Sequence, residues 1–127
     1  MMVVGIGCRK GAVAEAISAA IAASLERCGM EPSSIDALAT ASAKSDEAGI
    51  VATARLLGVP LICVPEDAMK LAASRAATSS ARVIALKGVP SVAETAALAA
   101  AGPSSRLLAP RLTTPTVTCA IAVGEAT

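Results

Sequence analysis

The sequence predicts an α/β domain in which alanine-rich amphipathic helices pack on a mostly parallel, mixed sheet of about five strands. Short apolar segments alternate along the chain with longer segments whose apolar residues recur at helical spacing. Only a short turn joins the last two apolar segments, which favours an antiparallel pair at the end of the sheet. A length of 127 residues is enough for one hydrophobic core, and no linker or repeat divides the chain. We therefore expect residues 1–127 to form a single domain.

Residues 2–7 are predicted to form the first strand, and a break at residues 8–11 separates it from the first helix. Gly29 is expected to end that helix. Polar residues such as Glu15 and Glu26 lie on one side of it, as in a helix that packs with one face on a sheet. The apolar face recurs at every fourth position, at Val13, Ile17, Ile21 and Leu25.

A second strand is predicted over residues 35–41 and a third over residues 59–64. The helix between them is expected to cover residues 46–57, with Ser45 as its N-cap and Gly58 as its C-terminal stop. Two acidic residues open this helix, which suits the positive charge of a helix N-terminus.

Pro65 begins a helix that is predicted to run to about Ser74, before the polar segment 78–80 interrupts it. Residues 82–86 have too few apolar positions to separate strand from helix by period. A helix is slightly favoured there, only because of the family resemblance described below.

The last helix is expected to begin after Ser91 and to stop at Gly102. Two further strands, near residues 106–109 and 116–123, complete the predicted sheet.

The composition excludes several classes of function. Phe, Trp, Tyr and His are absent, while 31 residues are Ala. Without aromatic side chains the protein cannot stack on bases, and its net charge of +1 lacks the basic character of a nucleic-acid-binding protein. Nucleic acid is therefore not expected as a partner. Any ligand must be held by aliphatic groups, backbone amides and a few charges.

The chain is expected to be cytoplasmic and to make no membrane contact. Its apolar runs are far shorter than the ~18–20 residues that span a bilayer, and it starts without a basic signal region. The four cysteines stand alone and no histidine completes a ligand set, so neither a metal nor a cofactor is expected. In a reducing compartment Cys28, Cys63 and Cys119 are interpreted as small buried hydrophobic residues.

The first candidate site is the segment Gly5-Ile6-Gly7-Cys8-Arg9-Lys10-Gly11, between the first strand and the first helix. Open α/β sheets bind ligands at this edge, beyond the carboxyl ends of parallel strands. Glycine lets backbone amides point at an anion, the helix N-terminus adds partial positive charge, and Arg9 and Lys10 add two full charges. The glycine spacing matches neither a dinucleotide fingerprint nor a P-loop. The segment is either a carboxylate site or a tight turn with two solvated cations.

Cys8 lies at the same predicted helix start. The helix field and the two neighbouring cations are expected to lower the pKa of its thiol. Because the chain has no histidine to act as a partner base, a packing role is favoured over a nucleophilic one.

The second candidate site is the segment Lys44-Ser45-Asp46-Glu47-Ala48-Gly49, which follows the second strand at the same edge of the sheet. Asp46 or Glu47 is a candidate general base, and Lys44 is a candidate carboxylate contact or electrophile. A helix cap with acids that favour the helix dipole explains the same residues.

The third candidate is the segment Gly88-Val89-Pro90-Ser91-Val92-Ala93-Glu94. Ser91 and Glu94 have the spacing of a capping box, which explains both residues structurally. A ligand role for Ser91 requires that its hydroxyl or the adjacent amides face the first two loops.

Taken together and in this order, the three segments resemble the CobE/CbiG C-terminal family of cobalamin biosynthesis. The resemblance covers nearly the whole chain, and a chain this short is similar to the free-standing CobE type. It continues into two further segments, Leu107-Leu108-Ala109-Pro110-Arg111 and Val117-Thr118-Cys119-Ala120-Ile121-Ala122.

The resemblance implies a three-layer α/β/α domain and a place in the pathway that contracts a uroporphyrinoid ring into a corrin. Precorrin intermediates of that pathway carry many acetate and propionate groups, which charged and amide donors recognise. The residues that this implies as ligand contacts are Gly7, Cys8, Arg9, Lys10, Gly11, Lys44 and Ser91.

Two positions depart from the family pattern. Ala48 stands where relatives often have proline, which should only loosen the start of a helix. After Pro110 many relatives carry a basic cluster, whereas here only Arg111 precedes Leu112-Thr113-Thr114, so that Arg111 is the single expected carboxylate contact of this loop.

Three functions follow as hypotheses. The first is an accessory or carrier protein that binds a precorrin or corrin-pathway intermediate through its carboxylates. The second is a hydrolase that opens a lactone on a precorrin or cobalt-precorrin macrocycle, as the longer proteins of the CbiG branch do, with Glu47 or Asp46 activating water. The third is a module that docks onto other enzymes of the pathway, for which an exposed apolar patch would be the sign.

Overall fold

The computed structural model describes residues 1–44, 46–79, 91–109 and 111–124, with only the backbone described at residues 74–79. The helices of this part of the chain are α1 (Ala14–Cys28), α2 (Ala48–Leu57), α3 (Glu66–Ser79) and α4 (Val92–Ala101). The strands are β1 (Met2–Cys8), β2 (Ala37–Ala41), β3 (Leu61–Val64), β4 (Arg106–Leu107), β5 (Leu112–Thr113) and β6 (Val117–Val123). No helix among these residues is long and apolar enough to cross a bilayer.

The strands form one mixed sheet in the order β3-β2-β1-β6-β4, and β5 also pairs with β6. β2 is parallel to both β1 and β3. β6 runs antiparallel to β1 over its whole length, from Val123 opposite Met2 to Val117 opposite Cys8. The carboxyl ends of β1, β2 and β3 therefore meet the beginning of β6 at one edge of the sheet, called the carboxyl edge below.

Helices cover both faces of the sheet, which confirms the three-layer α/β architecture. On one face α1 and α2 enclose a core of branched aliphatic side chains, including Ile6, Ile17, Leu38 and Ile50. On the other face α3 and α4 pack through small residues, including Ala37, Ala39, Ala72, Ala96 and Ala97. Alanine lets α4 approach so closely that a Cβ at Gly5 would overlap the carbonyl oxygen of Ala93.

The predicted ends of α1, α2 and α4 are confirmed. Gly29 and Gly58 follow α1 and α2 in the left-handed conformation, each with φ of 68°. Ser91 and Glu94 form a complete capping box at the start of α4, and Gly102 follows the last residue of that helix.

The predicted helix starts are less accurate. α1 begins at Ala14, because Val13 is its extended N-cap, and Val13 is 60% exposed rather than part of the apolar face. α2 begins two residues later than predicted, with Glu47 as its N-cap. The predicted N-cap, Ser45, lies outside the described residues.

The structure differs from the sequence prediction at three further places. α3 extends past the predicted end at Ser74 and into the polar segment, to Ser79, since serine and threonine are only modestly poorer helix formers than alanine. β5 has two residues, too few for any periodic pattern, and was not predicted. Cys63 is exposed because β3 is the last strand of the described sheet, which corrects its prediction as a buried residue. Residues 82–86 lie outside the described residues.

Candidate functional site

Four segments meet at the carboxyl edge of the sheet. Two are the loops that follow β1 and β2, and the third is the N-terminus of α4, whose Val92 and Ala93 lie over Gly7. The fourth is the β5–β6 hairpin, which β6 holds beside the end of β1. The first loop divides the surface between these four segments into two hollows, called the first hollow and the second hollow below.

The first hollow lies between the end of β1, the start of α4 and the β5–β6 hairpin, and has a volume of about 520 Å³. Among the described residues its lining carries one cation, Arg9, and no acidic side chain. The hairpin adds hydroxyl groups, since four of its six lining residues are threonines. The full lining is Gly7, Cys8, Arg9, Ser91, Val92, Ala93, Thr113, Thr114, Pro115, Thr116, Val117 and Thr118.

The second hollow lies between the first two loops and has a volume of about 500 Å³. It is lined by Lys10, Gly11, Ala43, Lys44, Asp46 and Glu47. Two cations and two carboxylates thus face the same space. The structure therefore brings Lys44, Asp46 and Glu47 together with the first loop, but Ser91 lines the first hollow and not this one.

The backbone of the first loop is held by contacts within the protein. The Arg9 amide donates a hydrogen bond to the Thr116 carbonyl at 2.9 Å, and the Gly11 amide donates one to the Glu47 carboxylate at 3.2 Å. These two amides are therefore engaged, contrary to the expectation that the loop would offer its amides to an anion. The side chains of Arg9 and Lys10 are exposed and form no ion pair with any described residue.

The pKa of the Cys8 thiol is shifted in the direction opposite to the prediction. Burial of the side chain raises the pKa of the Cys8 thiol, and the nearby Glu47 carboxylate raises it further, while Lys44 partly offsets both. The expected net lowering of the Cys8 pKa does not occur, because burial and Glu47 outweigh Lys44. The N-terminus of α1 is also not adjacent to Cys8, since α1 starts only at Ala14. The thiol is thus poorly suited to act as a nucleophile at neutral pH.

The start of α4 contains a buried ion pair. The Glu94 side chain is only 3% exposed, and its Oε1 lies 3.0 Å from Nη1 of Arg111. The same Oε1 accepts a hydrogen bond from the Ser91 amide at 2.9 Å, and the Ser91 hydroxyl accepts one from the Glu94 amide at 3.1 Å. Arg111, which the sequence suggested as a carboxylate contact for a ligand, binds this carboxylate of the protein itself.

Sequence reasoning missed the β5–β6 hairpin as part of the site. Thr114 closes its turn, since the Thr114 amide donates to the Val117 carbonyl at 2.7 Å and the Val117 amide donates to the Thr114 hydroxyl at 3.0 Å. The run of threonines around Pro115 is the signal that indicates such a turn. In the described part of the chain no cluster of three or more histidine, cysteine or acidic residues is placed to hold a metal ion.

Comparisons with known proteins show to which family this chain is similar. The family described as Cobalamin synthesis G C-terminus matches residues 2–122. Protein CobE of Sinorhizobium sp is 32% identical over 126 residues, which cover 99% of this chain and 81% of that protein.

Solved structures agree with this assignment. Cobalamin biosynthesis protein chiG from Agrobacterium tumefaciens superposes with a TM-score of 0.84 at 44% identity, covering 99% of this chain and all of that one. CobE, a protein of the cobalamin biosynthetic pathway, superposes with a TM-score of 0.82 at 32% identity, over 96% of this chain and 89% of that one. A cobalamin biosynthesis protein G homologue from Sulfolobus solfataricus reaches 0.71 at 25% identity, with 99% of this chain matching 37% of that protein. The chain therefore belongs to the Cobalamin synthesis G C-terminus family of cobalamin biosynthesis proteins.

Proposed function

We propose that the protein binds a polycarboxylated precorrin or corrin-pathway intermediate at the carboxyl edge and serves the pathway as an accessory or carrier protein. The observation that carries this proposal is the first hollow, whose lining combines the exposed cation Arg9 with threonine hydroxyls and, among the described residues, no acid. Each hollow has the volume of a typical small-molecule site. Membership of a cobalamin biosynthesis family supports a macrocycle with many acetate and propionate groups as the class of ligand.

The charges support the first hollow as the main binding surface. Arg9 is exposed there, and the lining within the described residues contains no carboxylate that would repel the ligand. On the opposite wall the hydroxyls of Thr113, Thr116 and Thr118 can donate hydrogen bonds to carboxylates, whereas that of Thr114 donates to the Val117 carbonyl. Lys10 and Lys44 place two further cations in the second hollow, beside Asp46 and Glu47. One macrocycle with carboxylates around its rim can therefore reach cations in both hollows.

A lactone hydrolase is the second candidate, and the second hollow favours it by placing Asp46 and Glu47 beside Lys44. The carboxylate of Glu47 accepts a hydrogen bond from the Gly11 amide, which fixes its position at the rim. A carboxylate so placed is a candidate general base, with Lys44 as the group that stabilises an oxyanion.

Uroporphyrin, which carries an acetate and a propionate on each pyrrole, is a suitable probe for the main proposal. The protein has no Trp or Tyr, so binding can be followed in the porphyrin absorption and fluorescence without interference. We expect Arg9→Ala with Lys10→Ala to weaken binding by about 1.5–3 kcal/mol for each desolvated, charged hydrogen bond that the ligand can no longer form. Added salt should weaken binding to the wild type as well.

The matched control is Arg55→Ala with Arg106→Ala, which removes the same charge from exposed positions at the opposite edge of the sheet. Equal affinities of the two double variants would contradict the proposed site. Production of the protein beside the upstream enzymes gives a second test, since a carrier should co-purify with a coloured macrocycle and an unrelated α/β domain should not.

A further inference from the structure

The negative charge of Glu94 is not explained by helix capping. A capping box needs only an acceptor at the third helical position, and glutamine serves as well as glutamate. A carboxylate that is 3% exposed is costly unless a cation compensates it. Arg111 supplies that compensation at 3.0 Å, so the charge of Glu94 serves the ion pair with Arg111.

The two partners belong to opposite walls of the first hollow. Glu94 directly follows Ala93, the last residue of the α4 wall. Arg111 directly precedes β5, whose Thr113 begins the hairpin wall. The ion pair therefore joins the segments that carry the two walls, while neither partner lines the hollow itself.

We propose that the Arg111–Glu94 ion pair is a positioning element, which fixes the β5–β6 hairpin against the start of α4 and so sets the width of the first hollow. This inference rests on the proposed function of that hollow. Arg111 acts on the ligand through the hairpin and not by touching it. Because the hollow has this width before binding, less conformational entropy is lost in ordering the hairpin wall when a carboxylated macrocycle binds.

Variants can separate positioning from simple support of the fold. Arg111→Met leaves the Glu94 carboxylate buried without this partner, so we expect both stability and uroporphyrin affinity to fall. The double variant Glu94→Gln with Arg111→Met removes both charges and keeps the capping acceptor, so stability should return largely to that of the wild type. Affinity should stay about tenfold weaker in the double variant, because the hairpin keeps its pairing with β1 but loses its tie to the start of α4.

Hydrogen exchange provides a readout that needs no ligand. In the double variant we expect the amides of Thr114 and Val117 to exchange at least about tenfold faster, with the amides of β2 unchanged. The single variant Arg111→Lys keeps a positive charge beside Glu94, so its hairpin amides should exchange more slowly than those of the double variant.

The outcomes separate the two proposals. Wild-type exchange at the hairpin in the double variant would overturn the positioning role, as would wild-type affinity in that variant. If uroporphyrin fails to bind even the wild type, the proposed function fails, while the exchange experiment still decides whether the pair holds the hairpin.

Discussion

At the scale of single residues, the environment of Cys8 illustrates how the two first loops act on each other. The thiol lies at the end of β1, where burial opposes its ionisation. Glu47 and Lys44 come from the next loop and affect it in opposite directions. The pKa of this thiol therefore reports the distance between the loops that form the second hollow.

We predict that Glu47→Gln lowers the pKa of Cys8, because it removes the carboxylate that opposes formation of the thiolate. Lys44→Gln should raise that pKa, because it removes the cation that favours the thiolate. The measurement is the pH dependence of Cys8 alkylation, followed by mass spectrometry of its peptide, with exposed Cys63 as the reference in the same sample. Identical Cys8 profiles in all three proteins would show that the second loop does not lie where the structure places it.

Cys119 leads to a prediction about stability at alkaline pH. Burial raises the pKa of its thiol from 9.0 to about 11. The unfolded chain loses this proton first as the pH rises, so the contribution of Cys119 is fully present below pH 9.0 and is lost towards pH 11. We expect on the order of 1–3 kcal/mol less unfolding free energy at the alkaline end. Cys119→Ala should flatten this dependence in urea titrations, and an unchanged slope would contradict the assignment.

At the scale of elements, the position of α4 depends on small residues beneath it. This helix carries Ser91 to Ala93 to the first hollow, and its first turn rests on β1 at Gly5. Gly7, two residues further along the same strand face, has more room, since an added Cβ would meet its nearest neighbour at 3.6 Å.

We therefore predict different outcomes for Gly5→Ala and Gly7→Ala. The added methyl group at Gly5 would overlap the Ala93 carbonyl and must displace α4, which should cost roughly 1–3 kcal/mol or more of unfolding free energy. The same substitution at Gly7 makes an ordinary van der Waals contact and should change stability by less than about 1 kcal/mol. Urea unfolding followed by far-ultraviolet circular dichroism compares them, because the chain has no aromatic residue for fluorescence. Equal destabilisation of the two variants would mean that α4 does not pack this closely.

The helices and the hairpin also show which features can be predicted from the sequence and which cannot. The glycines after α1 and α2 and the capping box of α4 were predicted because each depends on residues within one helical turn. The start of α1, the role of Arg111 and the hairpin wall depend on partners far along the chain. The Arg9 amide, for example, bonds to Thr116, and no local pattern encodes that hydrogen bond.

At the scale of the whole molecule, the topology distributes nearly balanced charges over the two ends of the strands. The carboxyl edge collects Arg9, Lys10 and Lys44 together with Asp46 and Glu47, whereas Arg55, Arg106 and Glu31 lie towards the opposite edge. The net charge of +1 therefore does not describe the local surfaces. The first hollow has a surface that suits carboxylates, whereas the second hollow carries charges of both signs.

The acids of the second hollow distinguish a carrier from an enzyme. A carrier of polycarboxylates gains nothing from Asp46, whose charge opposes that of the ligand, so Asp46→Asn should bind equally well or more tightly. Glu47→Gln keeps an oxygen that can accept from the Gly11 amide and should also retain binding. In a hydrolase, removal of the general base should lower turnover by a factor of ~100 or more while the substrate still binds.

The deciding assay incubates each purified protein with the lactone-bearing intermediate and follows ring opening and binding in the same sample. Glu31→Gln serves as the matched control, because it removes one exposed acid at the opposite edge of the sheet. A carrier predicts binding without turnover in the wild type and in all three variants. Wild-type turnover that disappears in Glu47→Gln or Asp46→Asn but persists in Glu31→Gln would instead identify the second hollow as a catalytic site.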